Sequence, residues 1–182
     1  MNILGEKIIL RAIEEEDLVL LHKWGNDTNT QDIMGDINFP SSMDFHKRWF
    51  ENLKNDNSNL RLAIEVNGVG LIGLSNLMKI DWRNKNAWYG ILIGEKDNRG
   101  LGYGRDILRT SMLYAFNELN LNRLDTSIIE YNKVSLSLFC NVFGWKKVGI
   151  RKNYYYRKGK YWNQILVGIT RKEYLNNDDF SH

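Results

Sequence analysis

The stretch "DNRGLGYGRD", Asp97 to Asp106, sets Gly100, Gly102 and Gly104 at alternate positions after Arg99 and just before an apolar-periodic run. Each glycine costs backbone entropy, so the pattern asks for a physical reason. Upstream, "NAWYGILIG" reads as a strand. Downstream, Leu108, Met112, Ala115, Phe116 and Leu119 recur at helical spacing from Tyr103 onward. Strand, glycines and helix form the order in which backbone N–H groups converge on a phosphate, because missing Cβ atoms allow close approach. The free N–H groups and dipole of the first helical turn add roughly 0.3–1 kcal/mol per favourable charge, and Arg99 offers a cation beside them. The G-x-G-x-G spacing is not the G-x-G-x-x-G of a dinucleotide fingerprint, and Gly104 is followed by Arg105 and Asp106, which excludes a Walker loop. A flexible turn without a ligand is the alternative.

Working outward, "KIILRAI" (7–13) reads as a strand, and "EEEDLVLLHKW" opens on acids favoured in a first helical turn, with Leu18, Leu21 and Trp24 near one face. "GNDTNTQDIMGDINFPSS" reads as a long loop with a short helical piece, and "MDFHKRWFENLKN" as a helix burying Phe45, Trp49 or Phe50, and Leu53. "LRLAIEV" and "VGLIGLSNLMKID" are strands joined at Asn67-Gly68, a pair typical of a type I′ hairpin. "NRLDTSIIEY" is a further strand, "KVSLSLFCNVF" a short helix stopped by Gly144, and the aromatic-rich segments around "RKGK" a terminal hairpin. This order predicts an α+β chain with a mixed, mostly antiparallel central sheet of about seven strands.

At 182 residues the chain is sized for one domain, 1–182, and 43% hydrophobic with 26% charged residues matches an ordinary globular protein. A net charge of +3 is spread among 22 acids, and no helix-turn-helix, zinc or RNP pattern is visible, so no nucleic-acid partner is expected. The apolar runs are too short to span a membrane. Cys140 has no disulfide partner within the chain and the histidines lack metal-ligand spacing, so a cytoplasmic protein without a metal is expected.

"RGLGYG" (99–104) resembles the Gln/Arg-x-x-Gly-x-Gly/Ala pyrophosphate loop of the GCN5-related N-acetyltransferases. "LGEKIILRAIEEEDL", "YAFNELNLNRL" and "NKVSLSLFCNVFGW" resemble further segments of the RimJ/RimL-like and spermidine-acetyltransferase branch, in the same order. The resemblance implies a sheet splayed between its fourth and fifth strands, with acetyl-CoA in the gap as cosubstrate. It implies that Ile91, Leu92 and Ile93 pair with the pantetheine arm and that a main-chain N–H polarises the thioester. Arg99, Gly100, Leu101, Gly102, Tyr103 and Gly104 would hold the pyrophosphate, while Asn132 would bond the pantetheine, with Ser135 one turn further on. Asn132 equally suits a plain helix cap. The implied reaction is direct attack of a primary amine on the acetyl group, in a monomer or homodimer.

Two positions depart from the family pattern. The tyrosine that protonates the leaving sulfur aligns with Phe139, and the glutamate common in polyamine enzymes aligns with Trp88. A thiol pKa of about 8.5 makes thiolate a tolerable leaving group without an acid. A lysine-like amine is neutral in roughly one molecule in 2,500 at pH 7, against about one in six for an α-amine near 7.7, so a site short of bases suits weakly basic acceptors. Protein N-termini and amino sugars both qualify, and antibiotics remain open. Glu130 and Ser135 are the candidate catalytic residues, with Tyr131, Asp27, Asp32 and Asp36 as substitutes. The alternative is a non-catalytic acyl-CoA-binding module. Cys140, in an apolar helix, reads as a small buried residue.

Overall fold

The computed structural model describes residues 1–34 and 39–177. Eight strands form one sheet in the order β1-β2-β3-β4-β5-β6-β8-β7. They are β1 (Ile3–Leu4), β2 (Ile9–Arg11), β3 (Leu60–Val66), β4 (Gly70–Asp81), β5 (Asn86–Ile93), β6 (Arg123–Ile129), β7 (Lys146–Arg157) and β8 (Lys160–Thr170). Every neighbouring pair is antiparallel except β5 and β6, which run parallel. The strand beyond the expected seven is β1, two residues too short to leave a periodic signal.

The helices are α1 (Leu18–Gly25), α2 (Thr28–Ile33), α3 (Met43–Leu53), α4 (Tyr103–Leu113), α5 (Lys133–Leu136) and α6 (Arg171–Leu175). Both α4 and α5 continue into π-helical turns, at Tyr114–Glu118 and Ser137–Val142. On one face of the sheet, α4 and the turn after α5 bury Leu108, Met112, Ala115, Phe116 and Phe139 against Tyr89, Leu124 and Val167. On the other, Leu18, Leu21 and Trp24 of α1 pack with Ala63 and Leu71, and Trp49, Phe50 and Leu53 of α3 join them. Phe45 was expected on that inner face but is 53% exposed, because Trp49 and Phe50 together already cover the sheet.

The β3–β4 connection is also corrected. Val66 pairs with Gly70, so the loop has three residues, closed by Val69 N–H donating to Val66 O. A type I′ turn needs positive φ at both central residues. Only Gly68, at φ +78°, meets that condition in Asn67-Gly68.

Candidate active site

The one parallel pair in the sheet is short. Asn86, Ala87 and Trp88 of β5 are in register with Arg123, Leu124 and Asp125 of β6, and there the pairing ends. Beyond Trp88, β5 follows β4 as far as Ile93 and β6 follows β8 as far as Gln164, so the two strands part into a V. Successive residues of a strand aim their backbone groups at opposite edges. A Cβ on Gly73 of β4 would collide with the Leu92 carbonyl, which therefore faces β4. The Ile93 carbonyl instead accepts from Arg99 Nε at 3.0 Å. It follows that Ile91 and Ile93 present their main chain to the opening and Leu92 does not.

The glycine stretch stands at the mouth of this V. Gly100 and Gly102 sit at φ +80° and +86°, where a side chain is disfavoured, and Gly102 is the N-cap of α4. The N–H groups of the following first turn, from Tyr103 and Gly104, have no intrahelical acceptor. Gly104 has an ordinary φ and serves a different purpose: a Cβ there would lie 3.5 Å from Leu138 Cδ2, where α4 approaches the turn after α5.

Arg99 donates from Nε to Ile93 O and from Nη2 to Gly94 O, both at 3.0 Å. Its guanidinium thus ties the loop to the end of β5. The cation over the loop is a residue that the sequence reading missed. Lys7 Nζ lies 3.5 Å from Leu101 O and 3.3 Å from the place a Gly102 Cβ would occupy. Lys7 is held there by Asp106 of α4, whose carboxylate accepts from the backbone N–H groups of Glu6, Lys7 and Ile8 at 3.1, 2.7 and 3.1 Å. Asp106 was visible as an acid in a first helical turn, but its partners lie about a hundred residues away in sequence.

Across the V, Asn132 caps α5, its Oδ1 accepting from Ser135 N at 3.1 Å. Its side-chain NH2 has no partner among the described residues. Phe139 is 2% exposed, with its ring 4.9 Å from Trp145 and 6.1 Å from Tyr89. Tyr89 is equally buried, and its hydroxyl meets Ser75 and Ser111 at 3.1 and 3.2 Å. Burial pushes this phenol up to about 12 while the two serines pull against it, so it remains a neutral hydroxyl at physiological pH. Burial also pushes the Cys140 thiol up, which keeps it an inert packing group.

Past the end of β6, both Glu130 oxygens are occupied. Asn163 N donates to Oε1 at 2.7 Å and Asn163 Nδ2 to Oε2 at 3.0 Å, while Glu130 N donates to Asn163 O at 3.1 Å. Tyr131 donates its hydroxyl to the Asp32 carbonyl of α2 and packs edge-on against Trp162. Burial and the Asp32 charge raise its pKa. Lys158 in turn pairs with the Asp32 carboxylate at 3.3 Å. Asp27 caps α2 through Thr30, and Asp36 lies outside the described residues. The structure therefore brings together the glycine loop, the free edge of β5, Asn132 and Ser135, and commits Glu130 and Asp27 to local hydrogen bonds.

A mixed sheet opened at its parallel pair, with a glycine-rich helix start at the mouth, defines the acyl-CoA-dependent transferase class. The acetyltransferase (GNAT) domain matches residues 10–166, and the chain belongs to that family. It is an acetyl-CoA-dependent N-acetyltransferase, acting on an amine. It is 25% identical over 170 residues to the SPbeta prophage-derived uncharacterized N-acetyltransferase YokL of Bacillus subtilis (strain 168), covering 93% of each chain. To the spermidine N(1)-acetyltransferase of Vibrio cholerae it is 23% identical over 176 residues, 97% of this chain and 100% of that one. The crystal structure of the V. cholerae spermidine N-acetyltransferase in complex with CoA and spermine superposes with a TM-score of 0.87 at 24% identity, covering 94% of this chain and all of that one.

Proposed function

We propose that acetyl-CoA lies along the V with its pyrophosphate on the backbone of Gly100 to Gly104, and that a weakly basic primary amine attacks the thioester directly. The observation that carries this reading is the main-chain edge of β5 that β6 leaves unpaired beyond Trp88, running through Ile91 to the positive-φ glycines, with the Ile93 carbonyl held by Arg99. The pantetheine amides pair with that edge and with the Asn132 side-chain NH2. The Ile91 N–H donates to the thioester oxygen as negative charge develops there, a contribution of about 3–4 kcal/mol for one such donor. Lys7 neutralises part of the diphosphate charge from above the loop.

The amine nitrogen forms its bond to the acetyl carbon, the C–S bond breaks, and the sulfur departs as thiolate. Ser135 donates its hydroxyl to the sulfur side of the site, while the amine proton leaves to solvent. Glu130, with both oxygens held by Asn163, serves as a clamp between β6 and β8 and leaves the base position empty. The site therefore suits an acceptor that is already largely neutral near pH 7, an N-terminal α-amine or an amino sugar, reached in the cytoplasm where acetyl-CoA is supplied.

Calorimetric titration of acetyl-CoA, followed by thiol release across a panel of amines, amino sugars and peptides, tests the reading. Tight binding with release on one acceptor class is the expected result. Tight binding with no release on any acceptor leaves a non-catalytic acyl-CoA-binding module, a reading that Phe139 and Trp88 support because neither side chain can serve as the acid or base expected at its position. No binding overturns the cofactor assignment.

A further inference from the structure

Across the sheet face that carries α1 and α3, Arg61 of β3 is in register with Asn76 of β4, and Asn76 with Gly90 of β5. Gly90 shares a face with Gly94, where a Cβ would run into the Trp24 ring of α1, so this row faces the acceptor side. Gly90 is also the first glycine past the divergence at Trp88, and it is covered by the end of a flexible side chain, Met78 Cε lying 3.2 Å from the place a Gly90 Cβ would occupy. Two strand spacings put the Arg61 and Gly90 Cα atoms about 10 Å apart.

The polar groups of this row lack the partners that buried polar groups normally have. Asn76 Oδ1 is buried with no hydrogen-bond donor among the described residues. Arg61 is half-buried, lies 5.8 Å from the Trp49 ring centroid, and has no carboxylate within salt-bridge reach among the described residues. The neighbouring acids take their hydrogen bonds elsewhere, although the Asp56 charge still reaches Arg61 and partly offsets its burial. Asp56 accepts from Ser58 and Asn59, Asp125 from Arg123, and Glu95 from Lys23 and Trp24. A polycation would meet the Arg61 cation here, with no carboxylate among the described residues in direct contact with it.

We propose that the acceptor is an amine carrying an anionic group, carboxylate or phosphate, several bonds from its nitrogen. Arg61 binds the anion, and Asn76 Oδ1 accepts an N–H of the amine once the Met78 side chain swings off Gly90. Planar guanidinium forks match both oxyanions, and desolvation beside Trp49 strengthens the pairing. The inference rests on the acetyl-transfer reading above and names the substrate chemistry of that site.

The test uses matched amines that differ in the anion: hexylamine with 6-aminohexanoate, and glucosamine with glucosamine 6-phosphate, beside spermidine. Each is titrated calorimetrically into the CoA-loaded protein and assayed by thiol release with acetyl-CoA. The anionic member of at least one pair is expected to bind and turn over about tenfold better, the equivalent of about 1.4 kcal/mol. The pair that responds identifies carboxylate or phosphate. In Arg61→Gln this preference falls toward one while acetyl-CoA affinity is retained, and Arg61→Lys restores part of it. Equal behaviour within both pairs, no binding of any member, a preference for spermidine, or equal weakening of both members in Arg61→Gln would overturn the proposal. Failure of the acetyl-transfer reading shows separately, as loss of acetyl-CoA binding or absence of thiol release with every amine.

Discussion

Replacing Gly102 separates the two demands made on it, a left-handed backbone and an unobstructed approach for phosphate. At φ +86° any side chain costs about 1–2 kcal/mol of folding stability, so Gly102→Ala should lower Tm by roughly 2–8 °C for a chain of this size. The new Cβ lies 3.3 Å from Lys7 Nζ, the far end of a flexible side chain, so no collapse of the fold is expected. Gly102→Glu bears the same backbone cost and adds a carboxylate against the diphosphate. At about 4 Å and an effective dielectric of 20, one such repulsion is worth about 4 kcal/mol, or roughly a thousandfold in affinity. Thermal unfolding should show similar Tm losses in both variants, while calorimetry finds acetyl-CoA binding abolished in the glutamate variant alone. Retention of near wild-type affinity by Gly102→Glu would refute the placement of the diphosphate on this loop.

Asp106→Ala strands the buried N–H of Ile8 and leaves the part-buried N–H groups of Glu6 and Lys7 to water, and should cost about 1–3 kcal/mol. Faster amide exchange through residues 3–11 and weaker acetyl-CoA binding, as Lys7 leaves the loop, would be seen together. Glu130→Gln keeps a carbonyl oxygen for Asn163 and should retain kcat within a few fold, whereas a general base would lose about 10²–10⁴-fold; steady-state kinetics decides. Burial, with the charge of His22 adding to it, lowers the His46 pKa, so the folded chain holds fewer protons there than the unfolded one. Stability from this site is therefore complete above the ordinary histidine pKa of about 6.5 and declines as pH falls through that value. Urea midpoints at pH 7.5 and 5.5 should converge in His46→Asn relative to wild type.

Much of this site was legible locally. The alternate glycines announced positive φ, and Gly100 and Gly102 adopt it. The periodicities of α4 and β5 and the aromatic hairpin of β7 and β8 follow from residues a few positions apart. What escaped depends on distant partners or on small differences in geometry. Nothing near Lys7 tells that Asp106 will gather its backbone, and nothing near Glu130 tells that Asn163 will take both its oxygens. Arg99 stood out as a cation beside glycines, but nothing near it in sequence tells that its guanidinium will also hold the carbonyls of Ile93 and Gly94. Only the register across three strands shows that Arg61, Asn76 and Gly90 share a row.

The division of labour around the V bears on how such a chain can diverge. The donor half of the proposed cleft is written largely in main-chain atoms, which survive most amino-acid replacements so long as the strand path and two glycines persist. The acceptor half is written in side chains, each open to exchange at little cost to the scaffold. A lineage built this way can drift to about a quarter identity while keeping a superposable frame, and can change the molecules it modifies without relearning how to hold the group it gives away.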